Sequence, residues 1–311
     1  MPIDPSAKRL LERLAAARVA GSAASSLAER RANLAELLAL SGPPQPVAHI
    51  GEQIIPGAAT PLAVRVYTPD SAGPAPLPAL LYLHGGGLVA GSIDSHDNLA
   101  RALANAAACR VLSLDYRLAP ENPFPAALDD AVAAVRHLYV HADRYGLDRN
   151  RLGLAGDSAG ATLAAAATLA LARAGGPRLR LQLLICPILD YAHRSESRRR
   201  LATGHLLEQA TLDDDLRWYL PPGVAADDPR ISPLCATELS GVPAAVVHAA
   251  EYDPLHDEIE AYVQRLRRAG VPVLYRCHAG MIHLFYAMGR VIPYAQFALM
   301  QIGADVQTAL S

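Results

Sequence analysis

From residue 78 onward, short apolar runs of strand character alternate with longer runs of helical period, and this alternation restricts the chain to few folds. Predicted strands cover 79–83, 110–114, 151–155, 181–186, 244–249 and 273–277. Predicted helices fall between or after them at 94–108, 126–145, 159–174, 255–269 and 293–310. Strands separated by crossover helices must run parallel, with helices covering both faces of the sheet. Two earlier runs, 50–55 and 62–67, are parted by Pro56-Gly57 and precede any crossover helix, so they predict antiparallel strands at one sheet edge. The expectation is an α/β fold around a mostly parallel sheet of about eight strands.

Two segments stand outside the alternation. The first forty residues read as two helices. Leu10, Leu11, Leu14 and Val19 fall near one helical stripe, and Ser26-Leu27-Ala28-Glu29 has the capping-box pattern. Gly42-Pro43-Pro44 ends this unit, giving a boundary near residues 44 and 45. The second segment lies between Cys186 and Val242. It contains Pro-rich turns and a helical patch at 206–220 with the only Trp, Trp218. An insertion that long in an α/β fold is usually functional, often a lid. We expect residues 1–44 and about 190–225 to form a helical cap on a catalytic domain spanning 45–311.

Composition removes several classes. With 51% hydrophobic and 19% charged residues the chain can bury a large core. Lys and Arg total 28 against 30 Asp and Glu, which is no electrostatic footprint for nucleic acid. The short run Arg198, Arg199, Arg200 reads as a solvated helix face. Cys109, Cys186, Cys235 and Cys277 are scattered with no C-x-x-C pair, which argues against a disulfide framework or a metal site, and three of them sit in apolar stretches, where reduced core thiols are expected. Charges at Asp4, Lys8, Arg9, Glu12 and Arg13 interrupt any signal-peptide core, and the apolar run 159–172 is too short to span a bilayer. A soluble cytoplasmic protein without membrane insertion is expected.

The chemistry concentrates in a few places. Gly156-Asp157-Ser158-Ala159-Gly160 matches G-x-S-x-G between a predicted strand and an Ala-rich helix. A serine on that sharp turn presents its Oγ at the carboxyl edge of the sheet, and the helix start places the Ala159 N–H where an oxyanion would form. His84-Gly85-Gly86-Gly87 follows the strand 79–83, and its glycines let amides turn inward as a nest for negative charge. An acid and then a histidine should follow the serine in the chain. His193, His205, His248, His256, His278 and His283 lie downstream. The choice narrows to His278, at the end of the strand 273–277 where the pleat fixes its direction, and His283, past Ala279-Gly280 on a loop; the loop position is preferred. Among Asp190, Glu251, Asp253 and Asp257, Asp253 is preferred because it follows a strand and precedes Pro254 and a helix. Asp190 stays open as its rival.

These motifs, with Asp115-Tyr116-Arg117-Leu118-Ala119-Pro120-Glu121, Asp253-Pro254-Leu255, Asp257-Glu258 and Gly280-Met281-Ile282-His283, resemble the bacterial hormone-sensitive-lipase family of α/β-hydrolase esterases. The likeness runs from about residue 45 to the end. It implies Ser158 as nucleophile, Asp253 as acid and His283 as base, with the amides of Gly85, Gly86, Gly87 and Ala159 as oxyanion hole. It also implies supporting roles for His84 as a brace of the glycine loop, for Asp157, and for Glu251 near the histidine loop. Leu284 stands where the family usually has Gly, Leu88 where an aromatic is common, and Ala161 where a second Gly is usual. These three are expected to reshape the pocket wall. The implied activity is hydrolysis of small soluble esters with short to medium acyl chains, without metal or organic cofactor. An amidase, an acyltransferase or a non-catalytic receptor of the same fold are the alternatives. The strand 273–277 is expected at a sheet edge, where a homodimer could form.

Overall fold

The structure is a computed structural model that describes residues 1–17, 26–74 and 76–311; Val19 of the predicted stripe lies outside these. The sheet order is β1 (His49–Ile55), β2 (Leu62–Thr68), β4 (Arg110–Leu114), β3 (Leu77–Leu83), β5 (Leu147–Asp157), β6 (Leu181–Ile185), β7 (Ala244–Tyr252) and β8 (Val273–Ile282). β1 pairs antiparallel with β2, and β2 with β4; every later pairing is parallel. The hairpin therefore occupies one edge, and β8 the other. Burial follows from position: every residue of β6 is buried, whereas β1 at the edge is mostly exposed or half-buried.

The crossover helices are α3 (Asp97–Ala107), α4 (Ala126–Val140), α5 (Ala159–Arg173) and α8 (His256–Arg268), with α9 (Tyr294–Leu310) closing the chain. Helix α5 is buried on nearly every side, and its alanines let it lie close to the sheet. Helices α1 (Pro5–Ala17) and α2 (Leu27–Leu38) precede the sheet, while α6 (Glu196–Arg200) and α7 (Gln209–Tyr219) lie between β6 and β7. Ser26 and Glu29 form the expected capping box: Ser26 Oγ accepts from the Glu29 N–H at 3.3 Å, and Glu29 Oε2 accepts from the Ser26 N–H at 2.7 Å. No helix among the described residues is long and apolar enough to cross a membrane.

Two expectations change. Strand β8 does not stop at Cys277; it continues to Ile282 past a register shift opposite β7 and a left-handed Gly280 at φ 73°. The polar His278 and the Ala279-Gly280 pair just past Cys277 hid that length. Nor is 198–200 simply a solvated face. Arg198 is 2% exposed and donates to both carboxylate oxygens of buried Glu258, at 2.7 and 3.2 Å. The Glu258 carboxylate also accepts from the amides of Leu189 and Asp190, and Asp257 accepts from the Ser197 N–H. The acids at the start of α8 thus tie α6 and the chain after β6 to the domain.

Candidate active site

The extended strands bring three of the sequence-predicted site residues together. Ser158, Asp253 and His283 are each the residue immediately after a parallel strand, β5, β7 and β8 respectively. All three sit at the carboxyl edge of the sheet and are buried. His283 Nε2 is 3.0 Å from Ser158 Oγ, and His283 Nδ1 is 2.7 Å from Asp253 Oδ2. With the imidazole neutral, Nδ1–H donates to the carboxylate and Nε2 accepts from the hydroxyl. The second carboxylate oxygen, Asp253 Oδ1, accepts from the Leu255 N–H at 3.0 Å.

Ser158 has φ 51° and ψ −124°, a strained geometry that costs on the order of 1–3 kcal/mol. Its surroundings enforce it. A Cβ on Gly156 would lie 2.3 Å from the Gly160 carbonyl oxygen, and one on Gly160 would lie 2.1 Å from the Leu83 carbonyl oxygen. The two glycines let β5, β3 and α5 converge on this turn.

The rivals lie elsewhere. His278 stays within β8 and meets His248 Nδ1 at 3.0 Å and the Tyr294 hydroxyl at 3.2 Å. Asp190 turns onto its own segment, accepting from the amides of Ala192 and His193.

The glycine loop after β3 faces Ser158. The N–H groups of Gly86, Gly87 and Ala159 have no hydrogen-bond acceptor among the described residues, and Gly86, Gly87 and Ser158 line one cleft. Gly85 departs from the expectation. Its N–H donates to Asp157 Oδ1 at 2.9 Å, so it is not available to an oxyanion. Asp157 is wholly buried and also accepts from the Tyr82 hydroxyl and, at 3.1 Å, from the Tyr286 hydroxyl. Burial and the Asp157 charge push both phenols well above their usual range, which keeps them as donors.

His84 ties the same loop. Its Nδ1 is 2.9 Å from the Gly85 carbonyl, its ring stacks on Tyr116 at 4.4 Å, and the Tyr116 hydroxyl donates to the His84 carbonyl at 2.6 Å. Burial, with His96 nearby, depresses the His84 pKa to about 3, so the ring is neutral and Nδ1–H can donate. Glu251 lies further out, where it accepts from the Gly280 N–H at 2.7 Å and from the N-terminal amine at 2.8 Å.

The cleft has a volume of about 730 Å³. Its lining is mixed. Leu34, Leu37, Ile188, Leu206 and Leu284 share it with charged groups from α2 and α7. Of the three departures expected at the wall, Leu284 alone lines the cleft; Leu88 and Ala161 are buried elsewhere.

Two features carried no local sequence signal. Arg30 on α2 and Asp215 on α7 form a two-pronged ion pair at 2.8 and 3.0 Å although 185 residues apart. Cys186, at φ 46°, places its sulfur within 4.8 Å of ligand atoms of Asp253 and His283. Burial and the neighbouring carboxylates push its thiol well above the usual range, so it stays protonated.

A sheet of this order, with a serine, an acid and a histidine at its carboxyl edge, defines an α/β-hydrolase. A family model described as the alpha/beta hydrolase fold matches residues 80–287, and the chain belongs to that family. It is similar to an ethyl acetate hydrolase of Pseudomonas putida, 41% identical over 253 residues that cover 80% of this chain and 79% of the relative. It is also similar to carboxylesterase NlhH of Mycobacterium tuberculosis, 36% identical over 315 residues, with 99% and 96% covered. Among solved structures, a hyperthermophilic esterase of Pyrobaculum calidifontis superposes with a TM-score of 0.93 at 33% identity, each chain covered in full.

Proposed function

We propose that this chain is a serine carboxylesterase of the hormone-sensitive-lipase type that hydrolyses small esters through an acyl-enzyme. The observation that carries the reading is the Ser158–His283–Asp253 chain, with contacts of 3.0 and 2.7 Å. Relatives named ethyl acetate hydrolase, arylesterase and carboxylesterase support it.

His283 Nε2 takes the hydroxyl proton as Ser158 Oγ attacks the ester carbonyl. Asp253 accepts from Nδ1–H, fixes the tautomer and favours the imidazolium that forms. The carbonyl oxygen becomes an oxyanion held by the N–H groups of Gly86, Gly87 and Ala159, near the positive end of α5. Collapse breaks the ester C–O bond, and His283 protonates the leaving alkoxide. Water then attacks the acyl-serine, its proton passing to His283 and on to Ser158 Oγ as the acid departs.

Helices α1 and α2, together with the segment holding α6 and α7, act as a cap over this cleft. The cleft volume and its charged wall suit short acyl chains and soluble esters. The open edge of β8, with Phe297 and Met300 exposed on α9, is where we place a second copy of the chain. Sedimentation that shows only the monomer at micromolar concentration would remove that part.

The test is turnover of a nitrophenyl ester series of increasing acyl length by the wild type and by Ser158→Ala. We expect a preference for short chains and a loss of several orders of magnitude in the variant. Near-normal turnover by Ser158→Ala would overturn the proposal.

A further inference from the structure

The Arg30–Asp215 pair lies directly against the proposed oxyanion hole. A Cβ built on Gly87 would be 1.8 Å from Asp215 Oδ2, so this carboxylate packs on the backbone whose N–H is to stabilise negative charge. The Asp215 side chain is 3% exposed and that of Arg30 14%, and both line the cleft with Ser158 and His283. Leu34, one turn along α2 from Arg30, covers the neighbouring glycine: a Cβ on Gly86 would meet its Cδ2 at 2.8 Å.

A bare carboxylate there would oppose the reaction. For a separation of roughly 6 Å and an effective dielectric of about 20, repulsion between two like charges slows a reaction roughly a hundredfold. We propose that Arg30 is a positioning residue for ester hydrolysis: by forking onto Asp215 it neutralises the carboxylate behind Gly87 and lets α2 and α7 close over the oxyanion hole without repelling the transition state. This deepens the esterase reading and rests on it.

Burial raises the Asp215 carboxyl above its usual range, and Arg30 opposes that rise. Removing the guanidinium therefore creates a group whose ionisation itself inhibits. Other charged or titratable groups face Asp215 as well. Asp214 on α7 is paired with Arg217, and the partly buried Tyr191 has its phenol pushed far up by desolvation. Across the cleft lie His283, Asp157 and His96, the last held down by burial. All six are common to every variant below, so they cannot produce a difference between them.

The experiment is the pH profile of kcat/KM on nitrophenyl acetate for the wild type, Arg30→Gln, Arg30→Lys and Arg30→Gln/Asp215→Asn, with Tm measured for each. For the wild type we expect a rise to a plateau. Arg30→Gln should show a new descending limb as Asp215 ionises, ending roughly a hundredfold below the plateau. The double variant should regain the plateau. Arg30→Lys, which keeps the charge, should remain within about threefold of wild type at high pH. A uniform loss in Arg30→Gln with no new limb, a double variant no better than the single, or Arg30→Lys as deficient as Arg30→Gln would each overturn the proposal. Should Arg30→Gln fail to fold, the double variant and Arg30→Lys still decide it: loss of the plateau in both refutes the charge argument. Ester turnover by the wild type is read in the same assay, so failure of the esterase reading would appear there independently.

Discussion

Replacing Gly160 by alanine tests how tightly the nucleophile turn is held. The added Cβ would lie 2.1 Å from the Leu83 carbonyl oxygen, 2.4 Å from the His84 carbonyl oxygen and 2.7 Å from the His84 carbonyl carbon. All three are backbone atoms, so no side chain can swing away. Ordinary van der Waals contact begins near 3.4 Å. The start of α5 must therefore move off β3 by about 1 Å, carrying Ser158 and the Ala159 N–H with it. A displacement of that size costs about a hundredfold in rate, and overpacking costs about 1–3 kcal/mol of stability. We expect Gly160→Ala to lower kcat by about two orders of magnitude with little change in KM, and to lower Tm by several degrees. Gly73→Ala is the control, because a Cβ there meets nothing within 4 Å. Stopped-flow and steady-state rates on nitrophenyl acetate, with calorimetry, provide the readout. A Gly160→Ala enzyme within threefold of wild type would refute the claim that this convergence positions the site.

Other outcomes follow from the same geometry. Arg198→Met should cost about 3–5 kcal/mol in denaturant unfolding, because it leaves Glu258 buried without its cation, and Arg198→Met/Glu258→Gln should recover part of the loss. Leu284 is buried at φ 61°, so Leu284→Gly relieves left-handed strain but removes side-chain burial; we expect a net loss of about 1 kcal/mol. The same variant should raise the octanoate-to-acetate ratio of kcat/KM, since Leu284 lines the cleft. Burial holds His248 at about pKa 3 and His278 at about 4, below the ordinary value of 6.5. The unfolded chain then binds protons that the folded chain does not, so this pair contributes stability above about pH 6.5 that is lost as pH falls toward 4. Replacing His248 with Gln should flatten the decline of Tm with acid across that window.

The legible part of this molecule is local. Strand–helix alternation announced the parallel sheet, and Pro56-Gly57 the edge hairpin, because short-range periodicity reports which faces a segment buries. The sharp turn at Ser158 could be read because it needs its glycines within two residues on either side. The histidine could be narrowed to two candidates, yet the reason His283 reaches Ser158 is that β8 runs to Ile282. His278 meets neighbours on β7 and α9, so its polarity disguised the continuation of the strand past Cys277. What stayed hidden depends on contacts between distant segments. The amide of Gly85 is taken by Asp157, Arg198 is buried by Glu258, and Arg30 meets Asp215 across the cleft. In each case the partner is at least sixty residues away in the chain, and only the completed sheet brings them within hydrogen-bonding distance.

The most direct measurement is intact and peptide mass spectrometry after incubation with a dialkyl fluorophosphate, alongside residual ester turnover. On the proposed mechanism, Ser158, activated by His283 and backed by the oxyanion-hole amides, would displace fluoride and retain the phosphoryl group. We expect one adduct per chain, located on the peptide containing Ser158, with turnover falling in step with labelling, and no adduct on His283→Ala over the same period. Active enzyme that stays unlabelled, or that carries its adduct at another residue as turnover falls, would contradict it.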